Sequence, residues 1–151
     1  MTTPHALDGV TVEIYDTTLR DGAQQEGMNL TVADKIAIAP LLDELGVAVI
    51  EGGWPGAIPK DTEFFGRLEK EVDLPRAQVA AFGATRKAGT RAHEDVQVRA
   101  LLDSEAPIIT LVAKSDIRHV ERALRTSAEE NLAMITDTVT YLTGAGRRVI
   151  L

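Results

Sequence analysis

The sequence contains no cysteine among its 151 residues. Without thiols the chain offers no disulfide, cysteine-ligated zinc site, iron–sulfur cluster or cysteine nucleophile. Basic residues are also scarce, because 16 lysines and arginines stand against 23 acidic residues and the net charge is −7. A chain of this charge, with no run of basic residues longer than a pair, does not attract a phosphate backbone. We therefore expect no nucleic-acid partner.

Long apolar runs are missing as well. No segment approaches the ~18–20 apolar residues of a membrane span, and residues 1–9 lack the basic start and apolar stretch of a signal peptide. We therefore expect a cytoplasmic protein without membrane association. The composition, with 44% apolar and 26% charged residues, is close to the globular average, so the chain can form one domain with a sizeable core.

Short apolar runs alternate with segments of helical period along the whole chain. This β-α-β-α order is typical of a parallel sheet covered by helices. The runs begin roughly 30–40 residues apart, a spacing that suits consecutive βα units. The five runs lie at residues 10–15, 47–50, 78–82, 108–112 and 147–151.

Capping residues predict where the first helix begins and ends. Thr31 can cap its start, with Asp34 three residues later, and Gly46 can end it. Within this helix, four apolar residues are expected to face the sheet: Ile36, Leu41, Leu42 and Leu45.

The remaining helices are predicted from apolar spacing. The third is expected to bury Val96, Leu101 and Leu102. The last is expected to open with a capping box of Ser127 and Glu130. These helices are expected at 61–72, from about 93, at 115–124 and at 127–142.

These elements predict an α/β fold, the amino-terminal part of a (β/α)8 TIM barrel with four βα units and a fifth strand. A closed barrel of eight units takes about 250 residues, and this chain ends on an apolar strand signal with no helix after it. We expect no complete second domain. A complete five-stranded doubly wound domain is the alternative, although no Gly-x-Gly-x-x-Gly or Walker-type loop follows any run.

The most informative segment follows the first run and reads Asp-Thr-Thr-Leu-Arg-Asp-Gly from residue 16. Catalytic groups of α/β barrels lie where strands end at the barrel mouth. Asp16, Arg20, Asp21 and Gln24 present two carboxylates, a guanidinium and an amide within a few residues. Oxygen ligands suit magnesium, manganese or zinc, so Asp16 and Asp21 predict a divalent-cation site that polarises an oxygen-rich substrate. A turn or helix-cap role is the alternative for Asp21.

Other polar residues are candidates on weaker grounds. Glu51 directly follows the second run, so it is either a functional group at the barrel mouth or a solvated strand-end acid. Trp54 could stack on a substrate or plug the barrel mouth. His119 could transfer a proton, or it could be a surface or packed histidine. His5 and His93 have no supporting neighbours and are interpreted as structural.

The Asp-Thr-Thr-Leu-Arg-Asp-Gly motif resembles that of the pyruvate-aldolase-like barrel family. This family contains isopropylmalate, homocitrate and citramalate synthases and hydroxymethylglutaryl-CoA lyase. The resemblance extends from about residue 10 to residue 151. Within the family, Glu-Gly-Gly-Trp-Pro-Gly at 51–56, followed by Pro-Lys-Asp at 59–61, is most similar to the citramalate synthase branch.

The resemblance implies a role for each residue at the barrel mouth. Asp21 would be the carboxylate ligand of the divalent metal, and Arg20 would bind and polarise the carbonyl of a 2-oxo acid. Gln24 would line the same pocket. Glu51 would lie near the metal as a hydrogen-bonding or acid/base group.

The loop after the fourth strand also matches the family's pattern. Lys114, Ser115 and His119 are the matching residues, which implies that His119 contacts the substrate. Other family features are missing. The two metal-binding histidines come from a His-x-His pair that this chain lacks, and the acidic residue expected after the fifth strand would lie past Leu151. We also expect no leucine-sensing domain of the kind found in some relatives within these 151 residues.

The resemblance therefore implies a metal-dependent acyltransferase, expected as a homo-oligomer. It would condense acetyl-CoA with pyruvate to citramalate in isoleucine biosynthesis. Isopropylmalate synthase, homocitrate synthase, a carbon–carbon lyase and a biotin-dependent carboxyltransferase are alternative enzymes. A non-catalytic half-barrel that binds ligand is an alternative of another class. With half of the site missing, the chain alone is expected to be inactive.

Overall fold

The structure, a computed structural model, describes residues 12–151, in which strands and helices alternate. His5 and the first two residues of the first apolar run lie outside this range. Within it, no helix combines the length and the apolarity needed to cross a membrane. The elements are β1 (Tyr15–Asp16), α1 (Val32–Leu45), β2 (Val49–Gly53), α2 (Pro59–Glu71), β3 (Gln78–Ala84), α3 (Val96–Asp103), β4 (Ile108–Val112), α4 (Ile117–His119) with a π-helical turn at Val120–Leu124, α5 (Ala128–Gly144) and β5 (Arg148–Ile150).

The five strands form one sheet in the order β1-β2-β3-β4-β5, and every neighbouring pair is parallel. A doubly wound sheet reverses its strand order at a switch point, whereas a βα barrel adds each strand to the same edge. The observed order confirms the predicted barrel segment and excludes the doubly wound alternative.

The two faces of the sheet carry different cores. Side chains at alternate strand positions point to opposite faces, so each strand contributes to both. The larger core lies between the sheet and the helices, and its centre includes Ile50, Phe64, Ala81, Leu101, Ile109 and Leu142. The smaller core lies on the inner face and consists of Val49, Ala80 and Ile108, with Tyr15, Ala48 and Ile150 packed against it.

The amino end of α1 forms as predicted. The Thr31 hydroxyl accepts from the backbone of Asp34, and the Asp34 carboxylate accepts from the backbone of Thr31 at 2.8 Å. Gly46 ends the helix in the left-handed conformation, with φ of 90°.

Two of the four residues expected to face the sheet, Ile36 and Leu42, pack against the core. The prediction is wrong for Leu41 and Leu45, since both are exposed. The buried stripe of α1 contains two charged residues, so the apolar residues alone did not mark it. Its members are Val32, Lys35, Ala39 and Asp43.

The first strand is shorter than predicted. Val12 and Ile14 are exposed, and only Tyr15–Asp16 pairs with β2. The Ile14 carbonyl nevertheless accepts from the backbone N–H of Val49 at 3.1 Å, so the chain joins the sheet at this point.

Two predictions about the later helices need correction. Helix α3 buries Leu101, and Leu102 packs against the core, but Val96 at its start is exposed rather than buried. The Asp95 carboxylate caps the helix by accepting from the backbone N–H of Gln97 and Val98. Ser127 caps α5, but the capping box is incomplete. The Glu130 carboxylate instead accepts from Arg86 at 2.8 Å and from the backbone of Gly89 at 3.0 Å.

Candidate functional site

A tight turn after β1 presents Arg20 at the carboxyl end of the sheet. The Asp16 carboxylate accepts from the backbone N–H of Thr18 at 2.9 Å and from its hydroxyl at 3.0 Å. The backbone of Arg20 donates to the Thr17 carbonyl at 3.1 Å, and Leu19 is fully buried. Asp16 therefore shapes the turn, and the neighbouring Leu19 anchors it in the core.

The Glu51 carboxylate accepts hydrogen bonds from two other side chains of this site. It lies on β2, is 1% exposed, and one carboxylate oxygen accepts from Nε of Arg20. The other oxygen accepts from the Tyr15 hydroxyl at 2.5 Å, and that hydroxyl also lies 2.6 Å from Oγ1 of Thr110 on β4. A buried carboxylate is costly unless it is paired and hydrogen-bonded, and Glu51 is both. Its interpretation as a solvated strand-end acid is excluded.

The Tyr15 hydroxyl is held in its neutral form. Burial, followed by the hydrogen bond to the Glu51 carboxylate, raises the pKa of Tyr15 well above its usual value. Tyr15 therefore remains a donor to Glu51 across the working pH range of ordinary enzymes.

The ring of Phe82 contacts the Arg20 guanidinium, and the ring of Trp54 packs against Phe82. Its central carbon lies 4.0 Å from the centroid of the Phe82 ring on β3, a cation–π contact. The ring of Trp54 meets Phe82 edge-on, with centroids 5.2 Å apart. Ion pair and aromatic contact together fix the orientation of the guanidinium. Trp54 acts here as a packing partner of Phe82.

Asp21 remains accessible beside this group. Its side chain is 63% exposed, makes no capping hydrogen bond to the turn at Gly22–Gln24, and lies 3.2 Å from Nη1 of Arg20. The helix-cap alternative for Asp21 therefore finds no support.

Asp21 fits a divalent cation only in part. Between residues 12 and 151, no group of three or more histidine, cysteine, aspartate or glutamate residues is placed to hold a metal ion. Both carboxylate oxygens of Asp16 already bind Thr18. Asp21 can thus supply one hard oxygen ligand, and a full ligand set needs further donors.

Two other predicted residues lie apart from this cluster. Gln24 is exposed in the turn after Asp21, and His119 is exposed at the end of α4. In the described part of the chain, neither side chain hydrogen-bonds to Arg20 or Glu51. Their substrate contacts remain predictions.

Sequence reasoning missed a buried ion pair behind the site. Nζ of Lys35 on α1 lies 2.5 Å from Oδ1 of Asp61 on α2 and donates to the Gly52 carbonyl at 2.9 Å. The other Asp61 oxygen accepts from the backbone of Trp54 at 2.8 Å. The pair therefore secures the segment directly after Glu51.

The backbone at this point leaves room only for glycine. Gly53 has a φ of 149°, and a Cβ there would overlap the Asp61 carboxylate.

Burial lowers the pKa of Lys35, and the hydrogen bond to Asp61 opposes this shift. The helical spacing of Val32, Lys35 and Ala39 was the available signal, because it puts the lysine on the buried face.

Two known proteins are similar to this chain in sequence. A 2-isopropylmalate synthase of Synechococcus sp. (strain WH7803) is 38% identical over a match that covers 90% of this chain and 25% of that protein. An (R)-citramalate synthase of Streptomyces coelicolor is 62% identical over the whole chain, which covers 28% of that protein. The chain thus spans about a quarter of the length of these relatives.

A crystal structure of the HMG-CoA lyase of Bacillus subtilis matches the fold. Its TM-score is 0.68 at 18% identity, over 91% of this chain and 44% of that one. This likeness supports the barrel fold alone. A family model described as HMGL-like matches residues 11–151, and the chain therefore belongs to the HMGL-like family.

Proposed function

We propose that this chain forms part of the active site of an acyltransferase that condenses acetyl-CoA with pyruvate to give citramalate. The observation that carries the proposal is the Arg20–Glu51 pair at the carboxyl end of the parallel strands, where barrel enzymes hold their catalytic groups. The 62% identity to a protein named (R)-citramalate synthase supports the choice of acceptor.

Arg20 would bind the 2-oxo acid. Its Nε is engaged by Glu51 and its Nη1 approaches Asp21, while Nη2 has no protein partner in the described part of the chain. A guanidinium held in this way can donate to the carbonyl oxygen of pyruvate without first reorganising. After a base removes a methyl proton from acetyl-CoA, the enolate carbon attacks that carbonyl, and the positive charge stabilises the alkoxide that forms. Water then hydrolyses the thioester bond of the adduct and releases CoA as the thiol.

Glu51 would orient Arg20 rather than transfer protons. Both of its oxygens already accept hydrogen bonds, one from Arg20 and one from Tyr15. A carboxylate engaged on both oxygens is poorly placed to take a proton from a substrate.

A divalent cation bound at Asp21 would hold the oxo acid and polarise its carbonyl as a Lewis acid. In the full-length protein, Asp21→Asn should weaken the binding of manganese by about tenfold or more, because a ligand loses its charge. Calorimetric titration of the metal-depleted protein measures this change.

Asp16→Asn is the matched control for Asp21→Asn. An asparagine oxygen can still accept from Thr18, so manganese affinity should stay near that of the wild type. Equal weakening by both substitutions would instead support a site built from two carboxylates. Unchanged affinity in Asp21→Asn would contradict the ligand role of Asp21.

The choice of acceptor acid can be tested directly. The full-length protein, supplied with acetyl-CoA and manganese or magnesium, should release CoA thiol faster with pyruvate than with 2-oxoisovalerate or 2-oxoglutarate. Preference for 2-oxoisovalerate would favour an isopropylmalate synthase, and preference for 2-oxoglutarate a homocitrate synthase. Release with none of the three acids would contradict the proposed reaction.

A further inference from the structure

Two hydroxyl groups form a hydrogen-bonded chain that reaches Glu51 across the inner face of the sheet. The Tyr15 hydroxyl on β1 lies 2.5 Å from one Glu51 oxygen and 2.6 Å from Oγ1 of Thr110 on β4. Strands β2 and β3 separate β1 from β4 in the sheet, so the contact with Thr110 does not come from strand pairing. On β3, the inner-face residue Ala80 has a small side chain, which leaves space for the Tyr15 ring.

The chemistry of these groups fixes the direction of each hydrogen bond. A carboxylate only accepts, so Tyr15 donates its single proton to Glu51. The Thr110 hydroxyl must then donate to the Tyr15 oxygen, because Tyr15 has no second proton. Burial, followed by the hydrogen bond to Glu51, raises the pKa of Tyr15, so the phenol keeps that proton. The direction from Thr110 through Tyr15 to Glu51 therefore satisfies all three groups.

Two contacts of different kinds hold Arg20 above this chain. The Phe82 ring attracts the guanidinium, whose central carbon lies 4.0 Å from the ring centroid, but this attraction does not specify where each nitrogen points. The hydrogen bond from Nε to Glu51 supplies that direction. The direction depends in turn on the orientation of the Glu51 carboxylate, and the contact with Tyr15 keeps that carboxylate from rotating.

We propose that Tyr15 and Thr110 are positioning residues of the acyltransferase, which act through Glu51 to direct Nη2 of Arg20 at the 2-oxo acid. The inference rests on the proposed function, which supplies the 2-oxo acid. Neither hydroxyl needs to contact the substrate, because Tyr15 donates to Glu51 and Thr110 donates to Tyr15. A buried polar network whose members are all paired is rigid enough for this role.

Tyr15→Phe in the full-length protein tests the role, because it keeps the ring and removes the hydroxyl. We expect kcat for thiol release with pyruvate to fall about tenfold, since a hydrogen bond to the charged partner of Arg20 is lost. The KM for acetyl-CoA should stay unchanged. Tyr141→Phe, which removes a hydroxyl on α5 beside His93, is the matched control and should behave as the wild type.

Two comparisons separate positioning from a purely structural role. In the Arg20→Lys background, Tyr15→Phe should change kcat by less than about twofold, because the guanidinium that the hydroxyl orients is gone. Thr110→Val should lower kcat by about threefold, whereas Thr110→Ser keeps the donor and should turn over like the wild type.

Three kinetic results would overturn the inference. The first is an unchanged kcat in Tyr15→Phe. The second is an equal loss from Tyr15→Phe with and without Arg20→Lys, which would show that the hydroxyl acts independently of the guanidinium. The third is an equal loss in Thr110→Val and Thr110→Ser.

Arginine NMR tests the same contact without turnover. In the full-length protein with isotopically labelled arginine, the Nε–H signal of Arg20 is the one that Arg20→Lys removes. Tyr15→Phe should shift or broaden this signal because Glu51 becomes free to rotate, and Tyr141→Phe should leave it in place. If the wild type releases no thiol with any 2-oxo acid, the proposed function fails, and this signal alone decides the inference. An unchanged signal in Tyr15→Phe overturns it.

Discussion

Arg20→Lys in the full-length protein should lower kcat by about 10²–10³, the usual cost of losing a preorganised donor at a developing oxyanion. A lysine ammonium cannot hold Glu51 through one nitrogen and present another in a fixed plane to the oxo acid. It also replaces the guanidinium whose central carbon lies 4.0 Å from the centroid of the Phe82 ring. Thiol release with saturating acetyl-CoA and pyruvate measures kcat.

Folding and catalysis can be separated in this experiment. Because the positive charge opposite Glu51 is kept, the thermal midpoint of Arg20→Lys should stay within a few degrees of the wild type. Arg99→Lys, on the exposed side of α3, is the matched control and should change neither quantity. Wild-type turnover in Arg20→Lys would refute the role given to Arg20.

Lys35→Met should destabilise the folded protein by about 3–5 kcal/mol, because it leaves the Asp61 carboxylate buried without its cation. Both side chains of this pair are almost fully buried. The loss also frees the Gly52 carbonyl, which the ammonium binds at 2.9 Å. Urea denaturation of the full-length protein measures the shift in stability.

Two further variants make this test specific. Lys70→Met is exposed on α2 and should change stability little, which controls for the loss of a lysine. Lys35→Met/Asp61→Asn removes the orphaned charge while an amide oxygen still accepts from Trp54, so it should recover part of the lost stability. Equal stability of Lys35→Met and Lys70→Met would show that the buried pair contributes nothing.

Local patterns predicted the architecture well. The apolar runs marked all five strands, and their spacing indicated βα units that the sheet order confirms. Thr31 and Gly46 marked the ends of α1 because a cap is a hydrogen bond or a backbone conformation within a few residues. Some errors concern faces: Leu41 and Leu45 are exposed, and the buried stripe of α1 instead includes the charged residues Lys35 and Asp43. Others concern ends, since β1 is shorter than predicted and the capping box of α5 is incomplete.

The sequence pointed to residues of the candidate site but not to the contacts between them. The motif after β1 and the acid after the second apolar run pointed to Arg20, Asp21 and Glu51. Two hydroxyls lie near Glu51. One belongs to Tyr15, 36 residues earlier in the chain, and the other belongs to Thr110 in the fourth strand. No spacing in the sequence links these positions, because they become neighbours only when parallel strands align.

The amino-acid order alone determined the β-α-β-α arrangement, the helix caps and the chemical groups at the end of β1. Periodicity and capping depend on residues a few positions apart, so they can be read along the chain. Tertiary structure decided that Glu51 pairs with Arg20 and that Lys35 is buried against Asp61. Those contacts depend on strand register and helix packing, which bring together residues that are distant in the chain.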